Sequence, residues 1–398
     1  MKNILWVSAS VPYDNVAHAG GKIHNFYLKF LKKNTDYDIK LISYYWEREK
    51  TKIDLESYQI NSILLKRCIW GFPRTLVNIE SFFNPFNRYA GVTQNYTFYQ
   101  LKKALKQVKR EGFAPQIVIL QWTEMLVLID TVKRVFPNAI VIGIEEDVLF
   151  LNFQRAYQNA NNFLFKKIRK IKYDRLKKIE IAACNSSDKV ILNNIKDYNL
   201  LKENNIDVCK LHVWQPFFEN RLMNEYKGNS KNIIFYGAMG REENWKSAIW
   251  FIENVFYKLN DQAINFLIIG GNPAPQLQQY SSERIKVLGF VEDVGPYFED
   301  GLCLVAPLLL GAGIKIKVIE AMSAGIPVLT NEIGIEGIPA EKGRDYIHCQ
   351  DPQDYIRAIN TLDYELRKDI SKNGKEFIAR YFNLEKSAKE FLQLLENI

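Results

Sequence analysis

Residues 307–337, PLLLGAGIKIKVIEAMSAGIPVLTNEIGIEG, hold the densest set of groups able to do chemistry. A Gly311-Ala312-Gly313 loop leads to Lys315 and Lys317 at the start of a helix read as Lys317–Ala324, with Glu320 one turn further on. Lysines at a helix N-terminus set full positive charge beside the positive end of the helix dipole, which is costly unless an anion sits there. A diphosphate would supply that anion, and Glu320, facing a cleft, would accept hydrogen bonds from a sugar or ribose diol. The plain alternative is a pair of solvated lysines and an ordinary helical glutamate. A second loop, Gly237-Ala238-Met239-Gly240-Arg241, sets glycines and a cation between a strand and a helix, which suits a phosphate, although Arg241 could instead pair with Glu242 and Glu243. A third, His18-Ala19-Gly20-Gly21, lets backbone N–H groups approach an anion or simply makes a turn. It fits neither the dinucleotide-binding nor the P-loop pattern.

The elements that must position these loops alternate between the two periodicities. Apolar runs at Ile4–Val7, Ile39–Ser43, Gln116–Leu120, Ala139–Ile144, Lys189–Leu192 and Val208–Val213 read as strands, several of them continuous enough to be covered on both faces. Between them, Ile23, Phe26, Tyr27, Phe30 and Leu31 form one apolar helical stripe, and Glu124–Phe136 is a second helical stretch. Residues 54–100 are crowded with aromatics (Trp70, Phe72, Phe82, Phe83, Phe86, Tyr89) and broken by Pro73 and Pro85. Residues 150–182 read as a long basic helix whose apolar positions Phe165, Ile168, Ile171, Leu176 and Ile179 keep approximate helical spacing. Val213–Phe218 reads as a linker. A second alternation follows: strands Asn232–Tyr236, Asn265–Ile269, Ile285–Leu288, Cys303–Ala306 and Pro327–Leu329, a helix Trp245–Leu259, and successive helices from Gln353. This order implies two α/β domains in tandem, each with a parallel, doubly wound sheet, and a cleft between them. At roughly 100–200 residues per domain, a chain of 398 residues agrees with two.

The net charge of +8 is unevenly spread. Residues 1–220 hold 33 Lys and Arg against 21 Asp and Glu, a surplus of +12, and the remaining 20 basic and 24 acidic residues leave −4. A basic half suits an anionic partner such as a lipid surface, nucleic acid or an acidic substrate, or else it is a solvated face. Nucleic acid is disfavoured because no helix-turn-helix or aromatic signature accompanies the basic segment. An amphipathic basic helix over residues 166–178 suits an anionic membrane. The five cysteines are odd in number and widely spaced, and the four histidines form no ligand cluster, so neither a disulfide framework nor a metal is expected. The N-terminus reads as a strand rather than a signal peptide, and no run reaches the length of a membrane span, which places the protein in the cytoplasm.

The 307–337 segment resembles the donor site of retaining family 4 glycosyltransferases of the GT-B fold. The match is carried by Gly311, Gly313, Lys315, Lys317, Glu320, Ala321, Met322, Gly325, Pro327 and Val328, followed by Gly334-Ile335-Glu336-Gly337. It extends to Phe235-Tyr236-Gly237 with Asn244, to Gly289-Phe290-Val291 and Asp293, and to Gly20-Gly21. The resemblance implies an N-terminal acceptor-binding Rossmann-like domain over residues 1–215 and a C-terminal donor-binding one over residues 216–380. The helix of residues 381–398 would pack back on the first. It further implies that Glu320 binds ribose hydroxyls, that Lys315 or Lys317 and the Gly237–Arg241 loop bind the diphosphate, with Gly313, Gly20 and Gly21 contributing to the donor site, and that Phe290 and Val291 hold the base. Lys315 would also act in catalysis. Family members often carry a glutamate where this chain has Ala312, and a histidine after a central strand of the first domain, where this chain reads Gly143-Ile144-Glu145-Glu146-Asp147. Glu146 and Asp147 are therefore the candidates near the anomeric carbon.

The activity implied is transfer of a sugar from a UDP- or GDP-linked donor to a glycan or lipid-linked acceptor in the making of lipopolysaccharide or capsule. It needs no cofactor or metal, and it would take place in the cytoplasm or at the inner face of the plasma membrane. Ala312 and the absent histidine also allow a non-catalytic nucleotide-sugar-binding subunit.

Overall fold

The computed structural model describes all residues except 1, 15, 17–18, 68–91, 94, 159, 161, 216–217, 219–225 and 311–312. His18, Gly311, Ala312 and the aromatics between Trp70 and Tyr89 therefore lie outside the described residues. The chain divides into two compact units, Met1–Phe217 with Glu385–Ile398, and Phe218–Leu384.

Unit 1 is built on seven strands: β1 (Asn3–Ser8), β2 (Asp38–Tyr45), β3 (Asn61–Lys66), β4 (Ile117–Gln121), β5 (Ile140–Glu145), β6 (Lys189–Leu192) and β7 (Leu211–Val213). They pair in parallel in the order β3-β2-β1-β4-β5-β6-β7. The alternation of side chains along each strand feeds two cores. Leu5, Val7, Val118, Leu120 and Val141 point to one face, and Ile4, Trp6, Ile117, Ile119, Ile142 and Ile144 to the other. Every residue of β4 is buried, as a strand covered on both faces requires. The helix Leu384–Glu396 returns to this unit and lays Ala388, Phe391 and Leu395 on the second core. There Trp214 stacks on Tyr27 at 4.1 Å and meets Phe391 edge-on at 4.3 Å.

Unit 2 repeats the plan with β8 (Asn232–Tyr236), β9 (Asn265–Ile269), β10 (Ile285–Gly289), β11 (Cys303–Ala306), β12 (Val328–Thr330) and β13 (Ile347–His348) in the parallel order β10-β9-β8-β11-β12-β13. In both sheets the winding direction reverses beside the first strand. The crevice outside the carboxyl ends at that reversal is where such sheets bind ligands.

The differences from the sequence reading are local. The stretch 124–136 is two short helices, Thr123–Leu126 and Ile129–Val135, and the basic stretch is two helices, Leu149–Gln158 and Phe163–Ser186. The second begins anew because Asn162 caps it, accepting from the backbone N–H of Leu164 and Phe165. Only the later part of that helix packs, through Leu176, Glu180, Ala183 and Cys184. Of the stretch Val208–Val213, Val208–Lys210 is a short 3-10 turn and Leu211–Val213 is the strand β7. The edge strands β3 and β13 had no counterpart in the sequence reading.

Candidate functional site

In unit 2 the ends of the neighbouring strands β8, β9 and β10 meet backbone to backbone. Gly237 N donates to Ile269 O at 3.0 Å and Gly270 N to Gly289 O at 2.7 Å. A Cβ on Gly270 would lie 1.6 Å from Gly237 O, so no other residue fits at this closure. The helix Glu242–Asn254 starts directly after the loop. Its buried Asn244 holds the loop from below, donating through Nδ2 to Ala238 O at 2.9 Å. The same amide accepts from Lys317 Nζ at 2.6 Å, and that ammonium also lies 5.2 Å from the Phe235 ring centre. Burial pushes the Lys317 pKa down to about 7, the neighbouring Lys315 and Arg241 add to the fall, and Glu243 opposes it.

Lys315 and Arg241 are differently placed. Lys315 occupies the N-cap of the Ile316–Ala324 helix, donates to Gly313 O and lies 3.9 Å from Glu336. Arg241 is exposed and pairs with Glu243 at 2.6 Å, the alternative that its sequence neighbours left open. Among the described residues, Lys317 is thus the one of these three cations with no carboxylate within ion-pair distance. Glu320 does not lie open: it is 2% exposed within the Ile316–Ala324 helix. Phe290 stands 80% exposed just after β10, beside Gly271, with Val291 half-buried next to it. An unpartnered aromatic face on a strand-end loop can stack on a planar base.

In unit 1 the strand ends carry an ordered carboxylate. Glu146, directly after β5, accepts from Gln121 Nε2 through Oε1 at 2.7 Å and from Asn193 Nδ2 through Oε2 at 2.8 Å. Each amide is itself fixed by an indole: Trp6 Nε1 donates to Gln121 Oε1 and Trp214 Nε1 to Asn193 Oδ1, both at 2.9 Å. Burial raises the Glu146 pKa to about 7 against the two amide bonds that favour its ionised form, and Asp147 adds to the rise. Asp147 is half-buried beside it.

Behind them Glu145 and Glu180 are buried together. Thr123 Oγ1 donates to Glu145, while Glu180 caps the Leu149–Gln158 helix by accepting from Leu149 N and Phe150 N at 2.7 and 2.8 Å. Burial raises both acids, and Glu180 raises Glu145 further. Gly20 and Gly21 fall in the first turn of the Ala19–Asn34 helix. A Cβ on Gly20 would meet Trp122 Nε1 at 3.0 Å, so Gly20 makes room for an indole.

Four residues outside the sequence-based site set thus shape these positions. Asn244, Gln121 and Asn193 are amides at strand ends or in a first helical turn, and Glu180 is concealed within the basic run. The signal available was a polar residue closing an apolar strand, as in Ile117–Gln121. Among the described residues no group of three His, Cys, Asp or Glu side chains could hold a metal ion.

Comparison with known proteins agrees with this layout. Residues 230–363 match the family model Glycosyl transferases group 1. An uncharacterized 44.6 kDa protein in the cps region of Klebsiella pneumoniae is 20% identical over 404 residues, covering 97% of this chain and 98% of that one. Among solved structures, Anabaena Alr3699/HepE in complex with UDP superposes with a TM-score of 0.71 at 14% identity, with full coverage of both chains. A sucrose-phosphate synthase from Thermosynechococcus elongatus gives 0.74 at 15% identity, covering 100% of this chain and 99% of its own. The fold is GT-B, two parallel-sheet α/β units. Residues 230–363 of unit 2 match a glycosyl transferases group 1 domain.

Proposed function

We propose that this chain, with its glycosyl transferases group 1 domain at residues 230–363, is a retaining glycosyltransferase that passes a sugar from a nucleotide diphosphate to a glycan or lipid-linked glycan in the building of a cell-surface polysaccharide. The observation that carries this reading is Lys317, a cation held by a neutral amide under the Gly237–Gly240 loop and beside a helix N-terminus. A part-buried ammonium with no carboxylate within ion-pair distance among the described residues is a place prepared for an anion, and a diphosphate brings one. Phe290 would stack on the base, and Glu320, buried in the Ile316–Ala324 helix, would have to be uncovered on binding to accept from the ribose hydroxyls. UDP is favoured over GDP because the Anabaena relative binds UDP, and the Klebsiella relative's cps region supports a capsule-like product.

As the glycosyl–phosphate bond breaks, an oxocarbenium-like centre forms and negative charge grows on the departing diphosphate. Lys317, Lys315 and the helix dipoles stabilise that charge without reorganising. The leaving phosphate accepts the acceptor's proton on the face it departs from, which gives retention. Glu146 and Asp147 are the unit 1 candidates near the anomeric carbon.

The exposed beginning of the Phe163–Ser186 helix supports association with the inner face of the plasma membrane. Phe163 and Leu164 are 83% and 63% exposed, next to exposed Lys166, Lys167, Arg169 and Lys170. Incubation with a panel of nucleotide sugars and glycan acceptors tests the whole reading. Release of nucleoside diphosphate coupled to an anomer-retained product is expected; donors that bind without turnover on any acceptor would refute catalysis.

A further inference from the structure

Unit 1 contains a second polar opening that the donor reading does not use. It lies at the carboxyl ends of β1, β2, β3 and β4, encloses about 220 Å³, and is lined by Ala9, Tyr44, Trp46, Arg67, Trp122 and Glu124. That volume is below the roughly 300–1,000 Å³ of drug-sized sites, which suits a single ring. Two half-buried indoles, Trp46 and Trp122, supply apolar faces.

Trp122 is held there at a cost. Its φ of 70° and ψ of 146° belong to a region that only glycine visits freely, and backbone strain of this kind persists where the surroundings impose it, commonly at binding sites. Its N–H is fixed to Ile144 O at 2.9 Å, and Gly20 leaves space for its ring. Trp46 is anchored by its own N–H, which donates to Glu49 Oε2 at 2.8 Å.

The polar side of the pocket is a matched pair. Arg67 Nη2 donates to Ala9 O at 2.5 Å and to Glu124 Oε2 at 3.0 Å, and the guanidinium lies 5.5 Å from the Trp46 ring centre. Among the described residues this leaves Arg67 Nε and Nη1 as donors and Glu124 Oε1 as an acceptor with no bond among themselves or their neighbours. Donor and acceptor therefore face the opening side by side, with no net charge between them. A ligand with adjacent hydroxyls can satisfy both at once, because each hydroxyl gives and takes a hydrogen bond. An anionic group approaching the remaining Arg67 donors would be repelled by the adjacent Glu124 carboxylate.

We infer that this pocket is an acceptor subsite that receives one uncharged pyranose ring, stacked on indole and bridged through two hydroxyls by Arg67 and Glu124. The inference rests on the glycosyltransferase reading for its role, though not for the binding itself. The test is titration of the full chain with methyl pyranosides of glucose, galactose, mannose and N-acetylglucosamine, and with methyl glucuronide as the charged probe, followed by saturation-transfer NMR. At least one uncharged pyranoside should bind saturably, and the glucuronide more weakly. Trp46→Ala should weaken the uncharged ligand roughly five- to tenfold. Glu124→Gln, which keeps size and should keep the melting temperature, should shift the preference toward the glucuronide by about fivefold or more, since it leaves the Arg67 charge without a carboxylate to balance it. The proposal is overturned if no pyranoside binds, if the glucuronide binds the native protein as well as the uncharged rings, or if Glu124→Gln leaves the preference unchanged. UDP titrated into the same samples separates the two readings. UDP binding without pyranoside binding removes the subsite alone, and pyranoside binding without nucleotide binding removes the donor assignment alone.

Discussion

Lys317 Nζ lies 2.6 Å from Asn244 Oδ1, and the other end of the same amide holds Ala238 O, so a single neutral side chain couples the ammonium to the loop after β8. With a pKa of about 7, Lys317 is charged below neutrality and increasingly neutral above it. A bound diphosphate favours the charged form, so binding above pH 7 takes up a proton and UDP affinity falls as pH rises from 7 to 9. Lys317→Met should lower affinity more than tenfold at pH 6.5, the equivalent of a lost charge-assisted bond of about 1.5–3 kcal/mol, and should flatten the pH dependence. Calorimetry in buffers of different ionisation enthalpy measures both effects. Asn244→Ala should give a smaller loss of affinity.

Gly270→Ala is predicted to be severe. Its Cβ would overlap Gly237 O at 1.6 Å, and backbone on both sides leaves no flexible group to move. Loss of more than about 3 kcal/mol, read as a fall in the urea midpoint, and loss of nucleotide binding are expected together.

Glu146 gives a stability signature of definite sign. Its folded pKa is about 7 against an ordinary 4.5, so the folded state prefers the protonated acid. Below pH 4.5 both states are protonated and the preference costs nothing. The cost grows between pH 4.5 and 7 and is complete above 7, at about 3 kcal/mol. Glu146→Gln loses one amide bond at every pH, since it presents an NH₂ group where a second acceptor stood, and it lacks this slope. Urea midpoints of the two proteins should therefore converge as pH rises from 4.5 to 7.5.

Charge reversal at Lys166, Lys167, Arg169 and Lys170 should abolish sedimentation with vesicles containing anionic lipid while leaving UDP binding intact. Phe163→Ser with Leu164→Ser should weaken sedimentation even at low salt, where charge alone would still attract. Unchanged sedimentation in both variants would remove the membrane assignment.

The two sheets were legible because buried parallel strands are continuous apolar runs, and Asn232–Tyr236, Asn265–Ile269 and Cys303–Ala306 coincide with β8, β9 and β11. β3 was hidden because an edge strand is only half covered and its residues Asn61–Lys66 are mostly half-buried. The break in the basic stretch depended on a single capping residue, Asn162. The lysine-bearing segment 307–337 stood out through charge at a helix start. The Gln121–Glu146–Asn193 network did not, because its members are scattered along the chain and meet only at adjacent strand ends. Gly20 also makes room for Trp122, a contact set by tertiary packing that no local pattern encodes.

Unit 2 is an insertion in the chain order of unit 1, because Glu385–Ile398 belongs with Met1–Phe217. During synthesis, residues 218–384 can reach their native contacts while the first sheet still lacks a covering element, so the second unit is free to mature first. Until then Phe391 is missing from beside Trp214, and Trp214 is the indole that fixes Asn193 and through it Glu146. The helix Leu384–Glu396, made after unit 2, therefore completes the support of that carboxylate.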